Sequence, residues 1–405
     1  MPQECDNDDR GGKVVAKRVG IEVSLAIGEA AKLANVDVVA AYPITPQTHI
    51  VEHLAELVAD GELDAAYIPV ESEHSAMSAC LGASAVGART FTATAGQGLE
   101  LMHEVLYVAA SMQLPMVMAV ANRALSAPLS VWGDHSDAMA VRDTGWIQMF
   151  TENGQDVFDN ILCAFRIGED QRVLLPVMVH LDGFHLSHMI EPVLFPDQSG
   201  VDRFLPPYNY PLPLDPEKPV TMGAFAPPII YSETKKAQEV HLAATKEVIL
   251  ECWDEFASIF GRRYLPVESY RSEQAKVLLL TIGSFSQTAM VAIDKMRGEG
   301  QDVGLVRLRL WRPFPAEELR QAVKDAEILI VFERALSLGG QAGPVCSEVR
   351  SALYAEDKRP KVVNIIGGLG GRDVTVAGFE KIIKRGIKIA QKGSEQEFEI
   401  FGVRE

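Results

Sequence analysis

Short, nearly continuous apolar runs recur along this chain and restrict its fold more than any other feature. Residues 36–41, 115–121 and 174–181 are rich in Val, Ala, Met and Leu, and 88–95 reads as a further strand between them. Each suits a strand covered on both faces, the situation of a parallel sheet. Stretches of helical period separate them, among them 49–59 and 99–110. This alternation over roughly the first 190 residues predicts a parallel α/β domain. A second α/β unit opens at Lys276, with strands at 277–282, 303–310, 328–332 and 362–366 and helices at 287–298 and 316–325. Residues 14–33 read as mostly helical, 234–260 as a helix of mixed charge and 264–273 as a linker. Prolines and tyrosines crowd the stretch 195–228, which reads as a wrapping connection. The expected division is a flexible arm at 1–13, a first domain at 14–233 with its wrapping segment at 195–233, a helix and linker at 234–275, a second domain at 276–390, and a polar tail at 391–405 that frays or docks on a partner.

At 405 residues the chain has room for two or three domains. A net charge of −17 argues against a nucleic-acid groove or an anionic membrane surface as its main partner. No apolar run approaches the length that spans a bilayer, and the acidic first dozen residues resemble neither a signal nor a transit peptide. The five cysteines are scattered without a C-x-x-C pair. That leaves no ferredoxin-type cluster held by this chain alone and no disulfide framework, and a reducing cytoplasm is the expected compartment.

Chemistry-bearing residues gather where the predicted strands end, the place where open α/β sheets hold ligands. After the first strand, Tyr42-Pro43-Ile44-Thr45-Pro46-Gln47-Thr48 has prolines that hold the loop extended and present the Thr45 hydroxyl; Thr48 reads as a helix cap. Glu71-Ser72-Glu73 then turns into a helix of small residues that permits close backbone approach. Either acid gains from the helix dipole, and one is available for hydrogen bonding to a ligand. In Thr92-Ala93-Thr94-Ala95-Gly96-Gln97-Gly98, small residues let backbone N–H groups near a ligand. Arg123 directly follows a buried strand and is placed to meet an anionic group bidentately. Asp134-His135-Ser136-Asp137 invites a metal reading, but it lies on a loop with no second His or Cys nearby, so no metal site is expected in this chain. The run Gly367-Gly368-Leu369-Gly370-Gly371 follows the last strand and opens no dinucleotide unit.

Taken together, the strings Ala-Tyr-Pro-Ile-Thr-Pro-Gln-Thr (41–48), Val-Glu-Ser-Glu-His-Ser-Ala-Met-Ser (70–78), Asn-Arg-Ala-Leu-Ser (122–126), Gly-Asp-His-Ser-Asp (133–137), Asp-Gly-Phe-x-x-Ser-His (182–188) and Trp-Arg-Pro-Phe-Pro (311–315) resemble the α subunits of pyruvate:ferredoxin oxidoreductases, members of the 2-oxoacid:ferredoxin oxidoreductase family. The resemblance spans nearly the whole chain from about residue 14. It implies a pyrimidine-type parallel-sheet domain of thiamine diphosphate enzymes, followed by a domain like the C-terminal domain of transketolase. It implies reversible cleavage of pyruvate with coenzyme A to acetyl-CoA, carbon dioxide and reduced ferredoxin or another electron acceptor. By the same resemblance Glu73 is the acid facing the pyrimidine N1′ of thiamine diphosphate, and Thr45 and Arg123 hold the substrate carboxylate. Pro43, Ile44, Thr94 and Gln97 join Glu73 as cofactor-binding candidates.

The chain lacks the Gly-Asp-Gly motif that binds magnesium diphosphate in thiamine enzymes. The resemblance therefore implies a β subunit carrying that half of the cofactor with Mg and a [4Fe-4S] cluster, and γ and δ subunits, δ with further clusters. Another 2-oxoacid, phenylglyoxylate or a branched-chain one, would use the same chemistry. A non-catalytic assembly subunit would have lost the acid and the arginine, and a transketolase-like transferase would need no cluster-bearing partner.

Overall fold

The computed structural model describes residues 16–392 and 398–404; the N-terminal arm expected at 1–13 lies outside them. The chain opens with β1 (Lys17–Glu22), where local periodicity predicts helix; α1 (Val23–Leu33) follows directly. β1 pairs antiparallel with a strand some 170 residues later, in register Lys17↔Phe195 to Glu22↔Ile190, a partnership that no local pattern can announce. Next come β2 (Val38–Ala41), α2 (Thr48–Ala59), β3 (Ala66–Pro69), α3 (Glu73–Ala85), β4 (Thr90–Thr94), α4 (Gln97–Ser111), β5 (Val117–Asn122), α5 (Ser136–Ala140), β6 (Ile147–Phe150), α6 (Gly154–Gly168), β7 (Val177–Asp182) and β8 (Ile190–Phe195). β4, β5, β6 and β7 are buried at every position, as strands covered on both faces must be.

After β8 the chain forms α7 (Gln198–Phe204), crosses a proline-rich stretch, and runs into α8 (Pro228–Phe260). This helix starts at Pro228 rather than 234, because proline is tolerated in a first helical turn, where its N–H is not needed. Its C-terminal half buries Val248, Ile249, Cys252, Trp253 and Phe256 in the same core as α1, α2 and α6. On the other face of the sheet, α3 and α4 close a second core around Met77, Leu99, Met102 and Trp146.

The second unit runs β9 (Val267–Tyr270), β10 (Val277–Ile282), α9 (Phe285–Gly298), β11 (Val303–Leu308), β12 (Leu310–Arg312), α10 (Ala316–Val323), β13 (Ile328–Glu333), α11 (Pro344–Leu353), β14 (Lys361–Ile366), α12 (Val376–Lys392) and β15 (Glu399–Ile400). Its sheet has the order β15-β14-β13-β10-β11-β9, parallel except for β9. The stretch 264–273 is thus no mere linker, since β9 caps a sheet edge. The tail does not simply fray, either: β15 adds a parallel strand beside β14, and Phe401 packs into the core. The first sheet has the order β12-β6-β7-β5-β4-β2-β3. Its edge strand β12 comes from the second half of the chain and pairs antiparallel with β6, so the two units share a sheet. Among the described residues, no helix is long and apolar enough to cross a membrane.

Candidate functional site

Three loops converge at the carboxyl ends of the central strands of the first sheet. The loop after β2 carries Pro43, Ile44 and Thr45, the β4–α4 junction carries Thr94, Gly96 and Gln97, and the loop after β5 carries Arg123. Gln47 stitches the first two together, its Nε2 donating to the carbonyls of Tyr42 (2.8 Å) and Ala93 (3.1 Å). Gln47 stands at the N-cap of α2, so Thr48 is the first helical residue and not the cap.

The acids at the start of α3 part company. Ser72 caps the helix by accepting from Ser75 N–H at 3.2 Å. Glu71 is exposed and takes the Ser75 hydroxyl at 2.5 Å; that hydrogen bond, with a backbone one, holds its carboxyl below the ordinary range. Glu73 points inward and is only 6% exposed. Its carboxyl lies against Gly98, where an added Cβ would meet Thr94 Oγ1 at 2.5 Å and Glu73 Oε1 at 2.8 Å. Only glycine at position 98 allows this close approach. Among the described residues nothing donates a hydrogen bond to the Glu73 carboxylate, and the buried Thr94 Oγ1 and Gln97 Oε1 are also without partners. A buried carboxylate that shares the space at Gly98 with an unpaired hydroxyl, with a further unpaired oxygen on the preceding residue, is a polar set awaiting a partner.

Arg123 and Thr45 also meet. Arg123 Nη1 donates to the Thr45 carbonyl at 3.0 Å and its Nε to the Ser130 carbonyl at 2.9 Å. This leaves Nη2 without a partner among the described residues, and Thr45 itself is exposed. The Arg123 side chain runs over Gly96, where a Cβ would come within 3.0 Å of its Cδ. The loop holding Thr94 and Gln97 therefore touches both Glu73 and Arg123. Pro43 is exposed and Ile44 half-buried on the neighbouring loop.

Sequence reasoning missed the residue that arranges these loops. Asp137, fully buried, accepts from Gly96 N–H and Arg123 N–H at 2.9 Å each and from Asn122 Nδ2 at 2.9 Å. Burial pushes its carboxyl up to about 7 against these donors. Nothing in the spacing of residues 133–137 singles it out, because its partners come from two other loops. Its neighbours diverge: Asp134 accepts from Ser136 and from Gly370 N–H (3.1 Å), and His135 Nε2 bonds Asp182 Oδ1 at 2.8 Å. The Gly-rich run 367–371 uses its amides here too, with Gly371 N–H donating to the Gly133 carbonyl at 2.8 Å.

A family model described as pyruvate flavodoxin/ferredoxin oxidoreductase, thiamine diP-bdg, matches residues 29–253. A second, described as pyruvate:ferredoxin oxidoreductase core domain II, matches residues 275–379. Pyruvate synthase subunit PorA of Methanocaldococcus jannaschii is 51% identical over 364 residues, 88% of this chain and 92% of that protein. Ketoisovalerate oxidoreductase subunit VorA of Pyrococcus horikoshii is 45% identical over 372 residues, 91% of this chain and 93% of its own length. Among solved structures, a 2-oxoglutarate:ferredoxin oxidoreductase from Magnetococcus marinus superposes with a TM-score of 0.69 at 19% identity, covering 92% of this chain and 65% of that one. A split-gene transketolase gives 0.55 at 14% identity, covering 92% and 100%. At such identities the two structures share the fold.

Proposed function

This chain belongs to the pyruvate:ferredoxin oxidoreductase family, and from that premise we propose that it is the α subunit of a thiamine diphosphate-dependent 2-oxoacid:ferredoxin oxidoreductase, acting on pyruvate. The observation that carries the site assignment is the Glu73 carboxylate, buried with no donor among the described residues and set with the unpaired Thr94 Oγ1 against Gly98, while Gln97 Oε1 on the preceding residue is also unpaired. These three groups suit the aminopyrimidine ring, with Glu73 hydrogen-bonded to its N1′ and Pro43 and Ile44 lining the approach. When bound, the cofactor supplies the carbanion-stabilising chemistry that decarboxylating a 2-oxoacid requires. The chain's part is to bind and orient. Glu73 holds a proton at the ring nitrogen. Arg123 offers its free Nη2 to the substrate carboxylate, with the Thr45 hydroxyl as a short donor beside it.

A β subunit brings the diphosphate-binding half with Mg and a [4Fe-4S] cluster, since this sequence lacks Gly-Asp-Gly and C-x-x-C motifs. γ and δ subunits, coenzyme A and ferredoxin complete the reaction in a reducing cytoplasm; the free thiols of Cys80, Cys163, Cys252 and Cys346 agree with that compartment. A branched-chain 2-oxoacid is the second reading, favoured by 45% identity to the ketoisovalerate oxidoreductase subunit. Glu73→Gln in the assembled complex tests the first. Subunits should co-purify as in wild type while viologen-linked pyruvate oxidation nearly vanishes, and wild-type turnover in this variant would remove Glu73 from its role. A panel of 2-oxoacids on the native complex separates pyruvate from 2-oxoisovalerate.

A further inference from the structure

Away from the converging loops, the fold gathers three side chains of a kind that ligates metal ions. Glu22 at the end of β1, His49 in the first turn of α2, and His188 in the loop between β7 and β8 place a carboxylate oxygen and two imidazole nitrogens all within 4.8 Å of one another. The ribbon register sets Glu22 opposite Ile190, two residues beyond His188. All three side chains are half-buried, so an ion has a path from solvent.

A hydrogen bond accounts for Glu22 and His49, whose Oε1 and Nδ1 lie 2.7 Å apart. It does not account for the second imidazole, whose ring centroid lies 4.7 Å from that of His49. His188 is oriented from behind. Its Nδ1 bonds Ser187 Oγ at 2.7 Å, and that oxygen accepts Phe184 N–H at 2.9 Å. Such outer support is characteristic of a ligating histidine, and among the described residues no hydrogen bond engages Nε2.

We propose that Glu22, His49 and His188 form a binding site for one divalent first-row transition ion of the Zn2+ type, with its remaining position open to water. The ion would tie β1, α2 and the β7–β8 loop together, four residues along the chain from Thr45.

The test uses the full-length chain, stripped with chelator and titrated with ZnCl2 by calorimetry and with Co2+ by visible absorption. Wild type should take up one more equivalent than a Glu22→Gln/His49→Gln double variant with the same circular dichroism. The single variant His188→Gln should bind at least about tenfold more weakly. Zinc held elsewhere is common to both proteins and cancels. No uptake by the wild type, or equal stoichiometry in the double variant, overturns the proposal and leaves an ordinary hydrogen-bonded pair.

Discussion

Arg123 shows how one side chain is aimed by what it does not need. Two of its nitrogens are fixed on carbonyls of Thr45 and Ser130, its aliphatic stem lies on Gly96, and its backbone N–H is held by Asp137. One nitrogen, Nη2, is left over among the described residues, and the proposed role gives it to a substrate oxygen. Losing it should remove binding of a carboxylate more than binding of a cofactor. Arg123→Ala is therefore expected to raise the KM for pyruvate by about 10–100-fold, the cost of a charged hydrogen bond, with cofactor affinity near wild type; an unchanged KM would take Arg123 out of the substrate site. Asp137 carries a pH dependence of determinate sign. Its folded value of about 7 stands above the ordinary 3.8. Between those values the folded chain holds a proton that the unfolded chain has released, so its contribution is complete below about pH 4 and is lost as pH rises through 7. Asp137→Asn should flatten that slope in denaturation curves collected from pH 5 to 8. A slope identical to wild type would mean the carboxyl is already ionised throughout the window.

Elements explain why some of this could be read in advance and some could not. β5 and β7 are legible because burial on both faces writes an apolar run into the sequence itself. β1, β9 and β15 are short, mostly half-exposed edge or ribbon strands whose partners lie far along the chain or across a loop, and composition says little about them. The same holds within the site. Glu73 and Arg123 stand at strand ends and attract notice, whereas Asp137 and Gln47 act through bonds to other loops. Helix α3 joins the two levels, since the cap that starts it also sets the position of the acid one residue later. Ser72→Ala should cost about 1 kcal/mol of stability and lower activity further than that loss of folded protein explains. Urea denaturation beside turnover per folded complex separates the two, and activity falling only in proportion to folded fraction would sever the cap from the site. On α8, Trp253 donates to Asn160 at 3.0 Å and is almost fully buried. Trp253→Ala should destabilise by about 3–5 kcal/mol, as for a large core truncation, and a shift under 1 kcal/mol in the same assay would mean that the helix is only loosely docked.

For the whole molecule, the question is what fixes the second unit against the site-bearing one. Sharing a sheet through β12 is one tie, and a buried ionic one lies beneath the converging loops. Arg334, at the end of β13, bonds Asp182 at the end of β7 and the Gly133 carbonyl (2.6 Å), and its own carbonyl accepts His135 N–H at 2.9 Å. Asp182 in turn takes Ser284 N–H at 2.8 Å and His135 Nε2. Burial alone would raise the Asp182 carboxyl, but the Arg334 charge and then His135 outweigh it and hold it well below the ordinary range. Its stabilising contribution is thus complete above the ordinary 3.8 and is lost only as pH falls far below that value. Arg334→Met reverses the sign. The carboxylate is left buried without its cation, at a cost of about 3–5 kcal/mol at neutral pH, and its pKa then rises, so part of the loss should return as acid protonates it. Thermal unfolding of wild type and variant between pH 7 and pH 4 reads this directly: the gap between them narrows as pH falls. A gap that stays constant would mean Asp182 is not the group left unpaired, and that the two units are held chiefly by the shared sheet.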